Sequence, residues 1–185
     1  MKNELDNLKF PIGKYKAILD FNFSRTIEDI KTLESFASDL RESVKGLDKT
    51  DFKKTYRNGG MNIAQIIHHF CDTHTYAFLR TKHTLLEENP SVKMYEVAEF
   101  LTTPDSNVLD VKDSLNVIEG IHAKWVSLLK TLSEEDFKKT YYHSSRDKNI
   151  ILHEHVGMYA WHTKHHIEHI KMAKKNIKQK GKRNK

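Results

Sequence analysis

Twelve histidines stand in a chain of 185 residues, and they are clustered: three lie between positions 68 and 74 and six between 153 and 169. Neutral imidazole is a ligand for zinc, nickel, copper and iron. Two histidines one helical turn apart project from the same side of a helix, so a His-x-x-x-His pair can chelate a single ion. His162 and His166 have that spacing. A third imidazole from another segment would complete a three-nitrogen site with at least one open coordination position.

Such a site needs helices to hold it, and the apolar pattern supplies four. An extended arm with Pro11 and Gly13 covers residues 1–22 and should lie on the body. A first helix, capped by Ser24 or Thr26, carries Ile27, Ile30, Leu33, Ala37, Leu40 and Val44 at helical spacing and ends at Gly46. A second runs from near Asn62 to about Glu87, with Pro90 beyond its end. A third starts near Asp110 and reaches Leu132; a fourth starts near Ile151. The hexapeptide Asp51-Phe-Lys-Lys-Thr-Tyr56 recurs as Asp136-Phe-Lys-Lys-Thr-Tyr141, each time between an amphipathic helix and a histidine-rich one. Two helix pairs built on one plan follow, with packing the expected role of the repeated Phe and Tyr. The connection between the second and third helices, about 22 residues, is long for an antiparallel hairpin. It predicts an all-α, up-down-down-up four-helix bundle with one long crossover.

Helical wheels at 100° per residue narrow the ligands. On the fourth helix His166 and His162 lie about 70° and 110° from the centre of the apolar stripe, on one flank. His155 and His169 share that flank; His165 lies nearly opposite the stripe and should face solvent. On the second helix His69 borders the buried stripe and His68 points away from it, with His74 near the inner face as a rival. Asp72, one turn after His69, could accept a hydrogen bond from a ligand imidazole and set its tautomer. Glu168 belongs on the surface, and Cys71 falls on the wrong side to be a ligand.

At these positions the chain resembles the YfiT-like branch of the DinB superfamily, whose members are described as metal-dependent hydrolases. The resemblance rests on Phe10-Pro-Ile-Gly-Lys-Tyr15, Tyr56-Arg-Asn-Gly-Gly60, Gln65-Ile-Ile-His-His-Phe-Cys-Asp-Thr-His74 and Tyr159-Ala-Trp-His-Thr-Lys-His-His-Ile-Glu-His-Ile170, in that order. It implies a four-helix bundle whose metal, zinc or nickel, is held by His69, His162 and His166, and a homodimer. It also brings in thiol-dependent relatives, the bacillithiol S-transferases and mycothiol-dependent isomerases. The sequence departs from the family pattern at Met61, where Trp is usual, and at Met94-Tyr95-Glu96-Val97, where Pro-Tyr-Asp-Glu is usual and the final acid is lost.

Three neutral imidazoles leave a divalent ion its full charge. The first expectation is therefore a hydrolase that activates water on a small-molecule substrate. The alternatives are a transferase that activates a low-molecular-weight thiol and a non-catalytic, metal-stabilised stress-response protein. No Ser-His-Asp arrangement and no Gly-rich phosphate loop stands out.

Composition bounds the remaining classes. The chain is 38% hydrophobic and 30% charged, with 7 Gly and 3 Pro, which suits one helical domain over residues 1–185. The net charge of +6 belongs to the end of the chain: residues 171–185 hold eight Lys or Arg, and removing them leaves −2. A solvated basic tail from about residue 173 is expected, and specific nucleic-acid binding is not, because no aromatics interleave with its cations. No apolar run is long enough to span a bilayer. A single cysteine and the lack of a signal-like segment lead to the expectation of a cytoplasmic protein.

Overall fold

The computed structural model describes residues 4–18, 20–92 and 96–183, with the side chains of those between 5 and 176. In chain order its elements are α1 (Glu4–Lys9), α2 (Phe23–Val44), α3 (Ile63–Leu86), β1 (Ser91–Val92), α4 (Val97–Phe100), α5 (Lys112–Leu129), α6 (Glu134–Lys138), β2 (Thr140–His143), β3 (Lys148–Ile151) and α7 (Leu152–Arg183). The four long helices are those the apolar periodicity indicates. Their ends are set by chemistry close to, but not always at, the expected residues. Asn22, rather than Ser24 or Thr26, caps α2 by accepting a hydrogen bond from the Arg25 amide at 3.0 Å. Gly46, at φ +76°, takes the chain out of that helix in a conformation that L side chains rarely adopt. Asn62 and Gln65 form a reciprocal capping box at the start of α3. α5 stops at Leu129, short of Leu132, and begins with Asp110 accepting from the Lys112 amide at 3.0 Å.

Cross-helix contacts fix the directions. His69 meets His162 and His74 meets His162, while Ala77 meets His155, so α3 and α7 run antiparallel. His68 meets Ser114 and Thr81 meets Trp125, so α3 and α5 run parallel. Arg41 meets Asn116 and Glu34 meets Lys130, making α2 antiparallel to α5. Asp29 lies on Gly157 and Ser43 on Lys174, making α2 parallel to α7. The order is up-down-down-up. Phe36 of α2 and Phe70 of α3 meet edge to face across the core, 4.7 Å between centroids. Trp125, fully buried, closes the other half of the core with its Nε1 donating to Thr81 Oγ1.

The crossover between α3 and α5 is not bare coil. Its β1 pairs in parallel with β2, and β2 pairs antiparallel with β3 just before α7. These three short strands are additions to the all-helical expectation. They are too short for a periodic pattern to reveal, and the crossover satisfies its backbone groups through them. The repeated hexapeptide acts locally in both halves. The carbonyl of Lys54 accepts from the amide of Ile63, the first residue of α3; the equivalent carbonyl of Lys139 accepts from Leu152, the first residue of α7. Each copy thus pins the start of a histidine-bearing helix, and its Tyr, Tyr56 or Tyr141, is buried.

Two terminal expectations change. The N-terminal arm opens with a helix, α1, and only then runs irregularly along α7, where Tyr15 Oη donates to the Glu154 carbonyl at 3.1 Å. The tail boundary expected at about residue 173 falls inside packed helix: Ala173 is completely buried and Lys174 Nζ donates to the Ser43 carbonyl at 2.8 Å. The side chains of residues 177–185, which hold the rest of the basic segment, lie outside the described residues, as do Met94 and Tyr95 of the divergent crossover stretch.

Candidate metal centre

α3 and α7, each pinned at its first residue, run antiparallel through the core and bring three imidazoles together. His69 on α3 and His162 and His166 on α7 each offer a ring nitrogen within 4.8 Å of the others. His69 Nε2 and His162 Nε2 are 3.1 Å apart. Two nitrogens that bind one ion at about 2.0–2.1 Å sit on the order of 2.9–3.4 Å from each other, depending on coordination angle, so this pair already has a chelating separation. His69 and His166 are buried, and His162 is partly exposed.

The proton positions follow from the partners on the other ring nitrogens, assigned through the network because a carbonyl can only accept. His122 Nδ1 lies 2.8 Å from the Leu33 carbonyl, so it carries the proton and its Nε2 is bare. His74 Nδ1, 2.8 Å from that Nε2, must donate, which leaves His74 Nε2 bare. His162 Nδ1, 3.1 Å from His74 Nε2, must donate in turn. His162 Nε2 is therefore a lone pair facing His69. His166 is fixed in the same way. His169 Nε2 donates to the Leu8 carbonyl at 3.2 Å, so its Nδ1 accepts from His166 Nδ1 at 3.2 Å, and His166 Nε2 is bare. At His69 the partner is the Thr73 hydroxyl, 3.2 Å from Nδ1, which can donate or accept. The donor set is thus three neutral imidazoles, and its chemistry fits a zinc- or nickel-class ion.

Burial keeps these rings uncharged. It pushes His69 down to about 4, with the neighbouring His165 adding to the effect, and holds His162 and His166 well below the ordinary histidine value. His74 is depressed by the same burial and by four surrounding histidines. Among the described residues no carboxylate enters any of these environments. The centre is a cluster of neutral rings, with His74 stacked on Phe36 at 5.1 Å and Tyr159 edge-on to His162 at 5.9 Å.

The remaining histidines and acids from the sequence have other places. Asp72 is half-buried beside Asp105 and His68, with its carboxyl raised by burial first and Asp105 second. The group on the second nitrogen of His69 is Thr73, one residue along. His68 is buried rather than turned outward, and both its nitrogens are engaged, Nδ1 with Ser114 Oγ and Nε2 with the Val108 carbonyl. His74, the rival ligand, is the middle of the chain behind His162. Cys71 stays out of the cluster, its thiol pushed up to about 11 by burial and then by Asp72. His165, expected in solvent, is only 6% exposed. The wheel treats α7 as a surface helix, but the N-terminal arm covers that face, with Phe10 6.0 Å from His165 and Trp161 stacked on it at 4.4 Å. His165, His166 and His169 form a second close group on α7 alone; both nitrogens of His169 are already committed there. Sequence reasoning missed His122 and Thr73. A histidine on the apolar face of the third helix was the available signal for the former.

The DinB superfamily model matches residues 32–170, which span all three imidazoles. YfiT of Bacillus subtilis, by name a candidate metal-dependent hydrolase, is 33% identical over 164 residues, 89% of this chain and 92% of that protein. A protein of Geobacillus kaustophilus named in the same way is 34% identical over 171 residues, 92% and 96% of the two chains. The solved structure of YfiT, described as an unusual four-helix bundle, superposes with a TM-score of 0.89 at 32% identity, covering 92% of this chain and 98% of that one. A mycothiol-dependent maleylpyruvate isomerase shares the fold, with a TM-score of 0.64 at 14% identity over 82% of this chain and 63% of that one. Sequence match across both histidine-bearing helices and the same bundle topology agree: this chain belongs to the DinB superfamily, within its YfiT-like branch.

Proposed function

We propose that His69, His162 and His166 hold one zinc or nickel ion and that the chain is a metal-dependent hydrolase of small molecules. The observation that carries this is the convergence of lone pairs: the hydrogen-bond chains behind His162 and His166 commit the Nδ1 proton of each ring, leaving its Nε2 free to bind. An ion held by neutral nitrogens alone keeps its full charge and supplies Lewis acidity, enough to bring the pKa of a coordinated water to about 7 or to stabilise a thiolate. The protein's own part is to present the three nitrogens at fixed separation, to keep carboxylates away from them, and to leave His162 as the accessible edge. The names of the relatives support hydrolysis.

A second use of the same centre, activation of a low-molecular-weight thiol, is favoured by the fold shared with a mycothiol-dependent enzyme. Elemental analysis of purified protein, followed by assays on ester, amide and phosphoester substrates with and without an added thiol, tests both. Hydrolysis predicts metal-dependent cleavage in the absence of thiol. Turnover only with thiol favours the transferase. Metal retained in a His162→Ala/His166→Ala double variant would overturn the ligand set. No helix of the described residues is long and apolar enough to cross a membrane, so the substrate is sought in solution.

A further inference from the structure

Arg80 is the one guanidinium on α3, and it is 4% exposed. It forms no ion pair among the described residues. Every Asp and Glu of the chain except Glu4 has its side chain among the described residues, and none of these carboxylates pairs with it. The buried acids of this part of the fold are engaged elsewhere, Asp29 with Arg25 and Glu154 with Lys148. A guanidinium cannot shed its proton to escape burial, so the charge is present and is uncompensated by any described carboxylate. Arg146, likewise without an ion pair among the described residues, is close enough that it and Arg80 together help depress His143.

The manner in which Arg80 is held is informative. Nη1 donates to Tyr159 Oη at 3.3 Å, and the guanidinium lies 5.6 Å from the centre of the Tyr76 ring. Nε and Nη2 are buried and have no hydrogen-bond partner. Those two nitrogens share the edge of the guanidinium along which two N–H bonds run parallel, the edge that matches both oxygens of a carboxylate. One end is therefore clamped by protein while the two-point docking edge is buried and unpaired. Arg80 follows His69 by 11 residues, about three helical turns, so it lies on the same face of α3. Helical side chains lean toward the N-terminus, which carries its head toward His69. Tyr159, which takes Nη1, also sits against His162.

We propose that the Nε/Nη2 edge of Arg80 docks the carboxylate of the small molecule that reacts at the histidine cluster. That the docked molecule reacts there rests on the function proposed above; binding of a carboxylate at Arg80 does not. The test is the arginine Nε–H region of a nitrogen-15 NMR spectrum, with the Arg80 signal assigned by its loss in Arg80→Lys. Acetate should shift that one signal saturably, in metal-free and metal-loaded protein alike, and neutral acetamide should not. Arg80→Met, followed through the backbone amides of Tyr76 and Tyr159, should weaken acetate binding by roughly tenfold or more while keeping the parent's metal content and thermal stability. The proposal falls if the Arg80 signal does not move, if several arginines move equally, if acetate responds only to metal and persists in Arg80→Met, or if inorganic phosphate binds more tightly than acetate. Metal content of the parent reports separately on the histidine cluster. A metal-free parent with a normal acetate response would sink the proposed ion and leave the carboxylate dock standing; a loaded parent with no response would do the reverse.

Discussion

His74 Nε2 lies 3.1 Å from His162 Nδ1, and through it a ring of the proposed metal set is connected to the Leu33 carbonyl on α2. Ligand imidazoles elsewhere commonly rest on a carboxylate or a carbonyl directly. Here two further imidazoles intervene, so the orientation and tautomer of His162 depend on residues from α3, α5 and α2 at once. The same device, one ring long, connects His166 through His169 to Leu8 in the N-terminal arm.

The far end of the longer chain is the place to test it. His122 is 2% exposed and touches no proposed ligand. His122→Phe should preserve the helical fold but let His74 and His162 change tautomer, lowering metal affinity by about 10- to 100-fold. His122→Gln, which keeps one donor and one acceptor, should recover part of that loss. Competition with a chromogenic chelator measures both. Unchanged affinity in a folded His122→Phe protein would show that the chain does not set the ligand.

Thr73 gives a separate prediction at the third nitrogen. Its hydroxyl meets His69 Nδ1 at 3.2 Å and can act as donor before an ion binds and as acceptor afterwards. Thr73→Val keeps the shape and removes the partner, so metal affinity should fall by about tenfold, whereas Thr73→Ser should stay near the parent. Asp72→Asn should have no comparable effect, because that carboxyl faces Asp105 and His68. A larger loss in Asp72→Asn than in Thr73→Val would return the supporting role to Asp72.

Much of this was legible in the sequence for a physical reason: ligands on a helix must recur at its period and flank its buried stripe. That placed His69, His162 and His166 near one another; the 3.6-residue pattern gave the four long helices, and the long connection between the second and third gave their order. What the wheel could not see was cover supplied by other segments. His165 is buried because the arm lies over it, and His68 because the crossover carbonyl of Val108 reaches it. Nor could periodicity reveal the support of the site, since His122 reads as an isolated polar residue until α5 is packed against α3. Neither the oligomeric state nor the choice between zinc and nickel has such a local signature.

Buried neutral histidines also predict an acid-labile fold. His122 is pushed down to about 4 and His155 to about 3, both chiefly by burial, against 6.5 in an unfolded chain. The unfolded state then binds more protons below pH 6.5, so stability is complete above that value and is lost as pH falls toward 4 and then 3. His122 alone contributes on the order of 3 kcal/mol over this window. Asp29, whose carboxyl burial raises, acts in the opposite sense. Urea midpoints of metal-free protein should decline steadily between pH 6.5 and 4.5, within that interval. A flat profile there would mean that these rings accept protons in the folded state.

The C-terminal segment is packed on the bundle beyond Ile170. Ala173 is fully buried in the cluster formed by Phe36, Leu40, Tyr56 and Ile63, with Met172 packed against it. Lys174 Nζ donates to the Ser43 carbonyl, one of the last carbonyls of α2, where a cation also complements the helix dipole. Asn176 Nδ2 reaches the Thr55 carbonyl at 3.4 Å in the first hexapeptide. Ending the chain after Asn176 should therefore leave the melting temperature within about 2 °C of the parent. Ending it after Ile170 removes a buried methyl, a packed thioether side chain and a helix-end hydrogen bond. Together these contribute roughly 2–3 kcal/mol, or about 5–10 °C for a domain of this size. Since His166 and His169 would then lie in the final turn, metal content should fall as well. Equal melting temperatures for the two truncations would show that residues 171–176 contribute nothing to the bundle, and a large drop on the shorter deletion would place the supporting contacts beyond Asn176.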